Sequence, residues 1–366
     1  MRNPAYSSRV GRLVTQPIGG EEVSAYVPPP LPPVPPLDIP QLLHRLLAAQ
    51  RGLGRLDGIT TLLPHPKLFL YMYVRKEAVL SSQIEGTQST LDDLLRFETD
   101  AKSGEPIDDI REVSNYVDAL FHGLERLATL PLSLRLLREM HARLLNSGRG
   151  SRKTPGEFRR TQNWIGGDRP GNALFVPPPV SELEACLSDF ERFIHEEASG
   201  LPALLKAGLL HVQFETIHPF LDGNGRLGRL LITLYLCSQG ILAQPLLYLS
   251  LYLKTHRARY YDLLQAVREE GDWEAWLAFY LDGVAQTADQ AFEAANRIVE
   301  LLKADREMIL AQSARPNTLM RVHDVLRERP YVTAKIVQDM TGLTNPPVTR
   351  ALDALERMGL LEEVSG

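Results

Sequence analysis

The 366-residue chain has only two cysteines, Cys186 and Cys237. They lie far apart, without the close spacing of a metal site, and both sit in apolar helical context. Buried, reduced and inert thiols are expected, as in a reducing cytoplasm. Basic charge is not in excess: the formal net charge is −5, whereas a chain devoted to nucleic acid is ordinarily basic. No apolar run reaches the roughly 18 residues of a membrane span. The opening stretch MRNPAYSSRV has no apolar signal core. These absences together predict a soluble cytoplasmic protein with no membrane partner. The length allows a large core and more than one domain.

What is present is mainly helical periodicity. Residues 28–36, PPPLPPVPP, cannot form a helix or a central strand, because proline lacks the amide donor and fixes φ. They predict an extended, packed strap. From Gln41 apolar residues recur at steps of three and four, and the pattern returns over 68–82, 107–127, 132–145 and from Val180. It continues over 202–216, from the motif below to Gln239, over 260–268 and over 273–303. Between 149 and 179, glycine and proline punctuate two short strand-like runs, 163–165 and 173–176. They predict a small β-hairpin, the one sheet expected before residue 310. Residues 311–317 read as a linker. Segments 319–329, 333–340 and 345–358 then match a helix-turn-helix, with Gly342 in the turn.

The densest chemistry is HPFLDGNGRLGR, residues 218–229. Gly223-Asn224-Gly225 opens an apolar helix whose free amides and dipole favour anions. Glycine lets backbone approach phosphate oxygens closely. Arg226 and Arg229 are three apart on one helix face and suit a bidentate phosphate clamp. Asp222 would repel an anion unless it holds a divalent cation, Mg²⁺ being the natural one beside phosphates. His218 precedes Pro219, is displaced from helical geometry, and titrates near neutrality. A general base beside a clamped polyphosphate implies nucleotidyl or phosphoryl transfer to a hydroxyl.

The same twelve residues resemble the signature HPFx(D/E)GNGRxxR of the Fic (Fido) family of protein adenylyltransferases. PPVPPLD and LGRLDG are similar to the N-terminal segment of larger family members. Glu157-Phe158-Arg159, Asn163-Trp164-Ile165-Gly166 and Phe175-Val176-Pro177-Pro178 resemble the family's flap, and Tyr260-Tyr261 its adenine-side pair. The resemblance implies a mainly α fold: a Fic-type helical core with a small β-hairpin flap and a C-terminal winged helix-turn-helix. It implies a Pro-rich arm at 1–40, a helical region at 41–130, a catalytic core at 131–290 and the winged unit at 316–366.

It also implies roles. His218 deprotonates a target Ser, Thr or Tyr hydroxyl, which attacks the α-phosphate of ATP. Asp222 holds Mg²⁺. Asn224, Gly225 and Arg226 contact the α- and β-phosphates, with Gly228 in the same turn, and Arg229 reaches the γ-phosphate. Trp164, Ile165 and Gly166 pair with an extended target segment. Relatives that phosphorylate carry Lys where this chain has Gly225, so AMP transfer is implied. One position departs from the family: an adenine-side Asn is replaced by Arg268.

Ser81 to Gly86, SSQIEG, resembles the family's inhibitory motif (S/T)xxxE(G/N). Ser81 and Glu85 are four apart and share a helix face. A carboxylate on Arg229 would remove the cation that the γ-phosphate needs. The expected partners are ATP, a protein bearing the hydroxyl, and a second copy of the chain. DNA is the other candidate, through the C-terminal unit. There Arg350 and Arg357 are interleaved with Asp353 and Glu356, which weakens phosphate binding. The competing reading is a DNA-binding regulator with a silent catalytic domain, or a transferase of a phosphoryl or other phosphate group, and the resemblance also allows removal of AMP.

Overall fold

The computed structural model describes residues 9–60, 66–99, 107–198, 200–313 and 316–364. The first eight residues of the opening stretch and the last two of the expected winged unit lie outside them. An antiparallel hairpin comes first, β1 (Arg12–Ile18) and β2 (Glu21–Val27), in register from Arg12 opposite Val27 to Ile18 opposite Glu21. This corrects the expectation that 163–176 holds the one early sheet. β1 and β2 were missed because RLVTQPI and EEVSAYV mix polar and apolar residues on a strand pair buried mainly at its β2 end.

Helices make up the rest: α1 (Ile39–Thr60), α2 (Pro66–Ile84), α3 (Leu91–Glu98), α4 (Ile107–Leu127), α5 (Leu134–Leu144), α6 (Val180–His195), α7 (Ala203–Ile217), α8 (Asn224–Ser238), α9 (Ser250–Thr255), α10 (Arg257–Glu270) and α11 (Trp273–Gln312). None among the described residues is long and apolar enough to cross a membrane. Helix starts follow local chemistry. Thr90 and Asp93 form a capping box that begins α3, and Ser133 accepts the Leu136 amide to begin α5. α7, ALLKAGLLHVQFETI, is apolar nearly all round and is buried from Leu204 to Ile217. Such a helix belongs in the middle of a core, and α8 packs along it. α1 lies against α11, where Gly52 lets the backbone come close to Ala288.

The 28–36 segment has no regular structure. Leu31 and Leu37 join the main core, and Arg9 ties the strap to the start of α11 by donating to Pro35 O at 2.8 Å and to Glu274 Oε2 at 2.6 Å. α11 continues to Gln312, so most of the expected 311–317 linker is helix or helix end, with 314 and 315 outside the described residues. The sequence AQSARPN has no breaker before Pro316, and α11 reaches Gln312 before Ser313 turns extended. The C-terminal unit holds α12 (Pro316–Leu326), α13 (Ala334–Thr341) and α14 (Asn345–Arg357) around its own small core of Ile309, Val322, Val337, Val348 and Leu355. Gly342 ends α13 at φ 67°. No strand follows α14 among the described residues, so the expected wing is not formed there.

Candidate active site

α7 ends at Ile217, and His218 caps it in the left-handed region at φ 47°, ψ 61°. A non-glycine residue there carries strain on the order of 1–3 kcal/mol, so its surroundings must hold it. His218 N–H donates to Phe214 O at 2.9 Å. Arg159 donates to His218 O at 3.0 Å and to Pro178 O at 2.6 Å. Asn224 closes the turn by accepting from Phe220 N–H and donating to Phe220 O, both at 2.9 Å.

His218 Nδ1 lies 3.3 Å from Glu215 O. A carbonyl only accepts, so this network assigns the proton to Nδ1 and leaves Nε2 as an acceptor. Burial first, then the Arg268 and Arg159 cations, push the imidazole down to about 4. His218 is therefore neutral near pH 7 and able to take a proton.

The turn between α7 and α8 is positioned by a second histidine. Gly156 N–H donates to His141 Nδ1 at 2.8 Å, so His141 carries its proton on Nε2 and donates it to Asp222 O at 2.9 Å. Its ring stacks on Phe220 at 3.7 Å. Burial pushes it down to about 4, which keeps this wiring neutral. Nothing in the sequence marks His141, one histidine on an amphipathic helix. Asp222 is half-buried, with Oδ1 accepting from Gly223 N–H at 2.6 Å and lying 3.5 Å from Arg226. Arg226 is only 1% exposed and pairs with Glu112 of α4 at 3.0 Å. Glu112, which Arg149 also approaches at 3.5 Å, is a second site residue that sequence reasoning missed.

Arg229 faces the end of α2. Its Nε donates to Ser81 Oγ at 2.8 Å, and Nη2 donates to Ser81 O at 2.9 Å and Glu85 Oε1 at 2.7 Å. Burial raises the Glu85 carboxyl, but the charge and hydrogen bond of Arg229 outweigh it and leave it below its ordinary value. Glu85 Oε1 comes within 2.2 Å of where a Cβ on Gly225 would stand. Only glycine at 225 admits that carboxylate over the first turn of α8.

One turn before Ser81, on the same face of α2, is buried Glu77. It accepts from Ser250 Oγ at 2.5 Å, from Ser250 N–H at 3.1 Å and from Tyr116 Oη at 3.3 Å. Burial pushes its carboxyl up from 4.5 to about 7, against those donors. A raised carboxyl stabilises the fold below pH 4.5 and loses that contribution as pH rises through 7, on the order of 3 kcal/mol in full. Glu77→Gln should therefore gain in melting temperature relative to the parent as pH rises from 5 to 8. Parallel curves across that range would show that Glu77 does not titrate in this window.

The flap is a single antiparallel bridge, narrower than the expected hairpin. Ile165 N–H donates to Phe175 O at 2.8 Å, and Phe175 N–H returns to Ile165 O at 3.1 Å. With Ile165 facing Phe175, the N–H and C=O of Trp164 face the other edge, and Gly166 turns the chain away at φ 68°. The far side of the 173–176 run is taken: Tyr26 of β2 donates to Val176 O at 2.9 Å, and Gly171 N–H donates to Glu21 at 3.0 Å. Trp164 and Leu174 are 38% and 78% exposed.

The tyrosine pair divides. Tyr260 is buried with its hydroxyl 2.9 Å from His211 Nε2, while Tyr261 is 40% exposed. Gly228 faces α7, where a Cβ would meet Glu215 at 2.5 Å, and its carbonyl takes His211 Nδ1 at 2.9 Å.

Known proteins resemble this chain in sequence and in fold. Residues 43–125 match the model for the Fic/DOC family N-terminal region, and residues 131–236 match the Fic/DOC family model. A protein from Culex quinquefasciatus, named protein adenylyltransferase Fic, is 36% identical over 159 residues, 43% of this chain and 29% of that protein. Its namesake from Aedes aegypti is 31% identical over 198 residues, 54% of this chain and 36% of that protein. The matched region is thus about a third of these relatives' length. The crystal structure of a Fic family protein from Desulfovibrio desulfuricans G20 shares the fold, with a TM-score of 0.61 at 19% identity, over 91% of this chain and 92% of that one.

Proposed function

Because this chain belongs to the Fic family, we propose that it transfers AMP from ATP to a Ser, Thr or Tyr hydroxyl of a protein and is held off by Glu85. The observation that carries the reading is the placement of His218, with a free acceptor nitrogen, beside a helix N-terminus whose Arg229 is closed by Glu85 and Ser81. His218 Nε2 takes the proton of the hydroxyl. The oxygen then bonds to the α-phosphorus, and the bond to the β-phosphate breaks to release diphosphate. Amides of the first α8 turn and Arg226 face the charge that builds on the phosphates. Arg229, once released by Glu85, holds the γ-phosphate.

Among the described residues no group of three carboxylate, imidazole or thiol ligands converges. The single half-buried carboxylate of Asp222 suits Mg²⁺ of the kind that phosphates mostly coordinate, and the ion when bound would neutralise phosphate charge. The open edge at Trp164 supports addition of an extended target segment. Of the tyrosine pair, Tyr261 has the exposed ring that can meet a base. Two unpaired cysteines support a reducing cytoplasmic setting. The mixed charge of α14 favours docking or dimerisation by the C-terminal unit over DNA.

Labelled nucleotide tests the reaction. With the Glu85→Gly form, protein should acquire label from α-labelled ATP and none from γ-labelled ATP. Label from the γ position would assign phosphoryl transfer instead. Label from neither, with salt-sensitive retention on duplex DNA, would assign the regulator.

A further inference from the structure

Arg268 occupies the position where the family resemblance leads one to expect an adenine-side Asn, and its contacts are of another kind. It is buried at the end of α10. Its Nε donates to Thr216 Oγ1 at 3.2 Å and its Nη2 to Glu215 O at 3.3 Å. Glu215 O is also the acceptor facing His218 Nδ1. One carbonyl therefore receives the Arg268 guanidinium and the proton that sets the His218 tautomer. The other face of Arg268 lies 3.9 Å over the ring of Phe175, the flap residue that bridges to Ile165. A planar cation can do both at once, stacking on an aromatic face while its edge donates to two oxygens. Asparagine has neither the reach nor the charge.

We propose that Arg268 is a positioning residue that locks the target-binding flap to the turn carrying His218, so that hydroxyl and base are aligned by one side chain. This rests on the adenylyltransferase reading above. Arg268 acts on the base in two ways. It orients the Glu215 carbonyl that pins the ring, and its charge disfavours the imidazolium. The charged groups facing the ring are Arg268 from α10, Arg159 from the start of the flap and Glu85 just past the end of α2, while Glu215 on its own helix meets it through the backbone carbonyl. Of the cations, Arg268 depresses the imidazole more than Arg159 does.

Arg268→Gln and Arg268→Lys, each made with Glu85→Gly in the full chain, separate alignment from charge. The rate of labelling of lysate protein from α-labelled ATP is followed against pH. With Gln, the acid limb should move up by about one pH unit, because a lost neighbouring cation lets the imidazole protonate sooner. With Lys, the limb should stay while the rate falls, since charge survives but stacking does not. Chymotrypsin should cut faster after Trp164 of the flap in both. The imidazole titration of His218, followed by NMR and assigned with His218→Ala, reads the same shift without activity. If Glu85→Gly alone labels nothing, the reaction assignment fails, and the titration still decides Arg268. An unmoved acid limb and an unmoved His218 titration in Arg268→Gln would overturn the proposal.

Discussion

Replacing Glu85 by glycine is expected to raise AMP transfer roughly ten- to a hundredfold at subsaturating ATP. The estimate follows from the contact removed: a charged hydrogen bond of about 1.5–3 kcal/mol holds Arg229 away from substrate, and each 1.4 kcal/mol is about a factor of ten. Two effects act together. The carboxylate withdraws the cation that a γ-phosphate would use, and it stands over the first turn of α8 beside Gly225. Glycine removes both. Ser81 would still accept from Arg229 Nε, so the guanidinium stays aimed at the site rather than swinging away. The check is label transferred from α-labelled ATP by parent and variant over a range of ATP concentrations. Equal rates at every concentration would mean that Glu85 is not a brake.

The second large effect is expected at His218. His218→Ala should lower transfer about 10²- to 10⁴-fold in both the parent and the Glu85→Gly background, the usual contribution of a positioned general base. Nucleotide binding should persist, because the α8 amides, Arg226 and Arg229 do not depend on the imidazole. Measuring label transfer and ATP binding on the same preparation separates the two. Retained transfer would point to another base. Lost transfer with lost ATP binding would show that the left-handed turn at 218 had collapsed.

Much of this site was legible before any coordinates. His218, Asp222, Gly225, Arg226 and Arg229 lie within twelve consecutive residues, and a helix start with glycines and arginines has only a few physical uses. The contact between Glu85 and Arg229 spans 144 residues, yet a short motif pointed to it. The supporting residues were not legible. His141, Glu112 and Glu77 are single polar residues on ordinary helices, and each becomes meaningful only through what folding places next to it. The β1–β2 pair escaped for a related reason, since its buried face is completed by Val176 from the flap.

The sequence by itself determined the helical class, the α7–α8 turn, the glycines that open α8 and the place of His218 beside them, because these follow from neighbours along the chain. Tertiary structure decided which of the named residues are free to act. It turned Tyr260 and Gly228 inward, joined Arg226 to Glu112, shut Arg229 under Glu85, and put Arg268 between flap and base. The physical reason is that a guanidinium or carboxylate takes its role from the opposite charge and the degree of burial it meets, and both are set by segments distant in sequence.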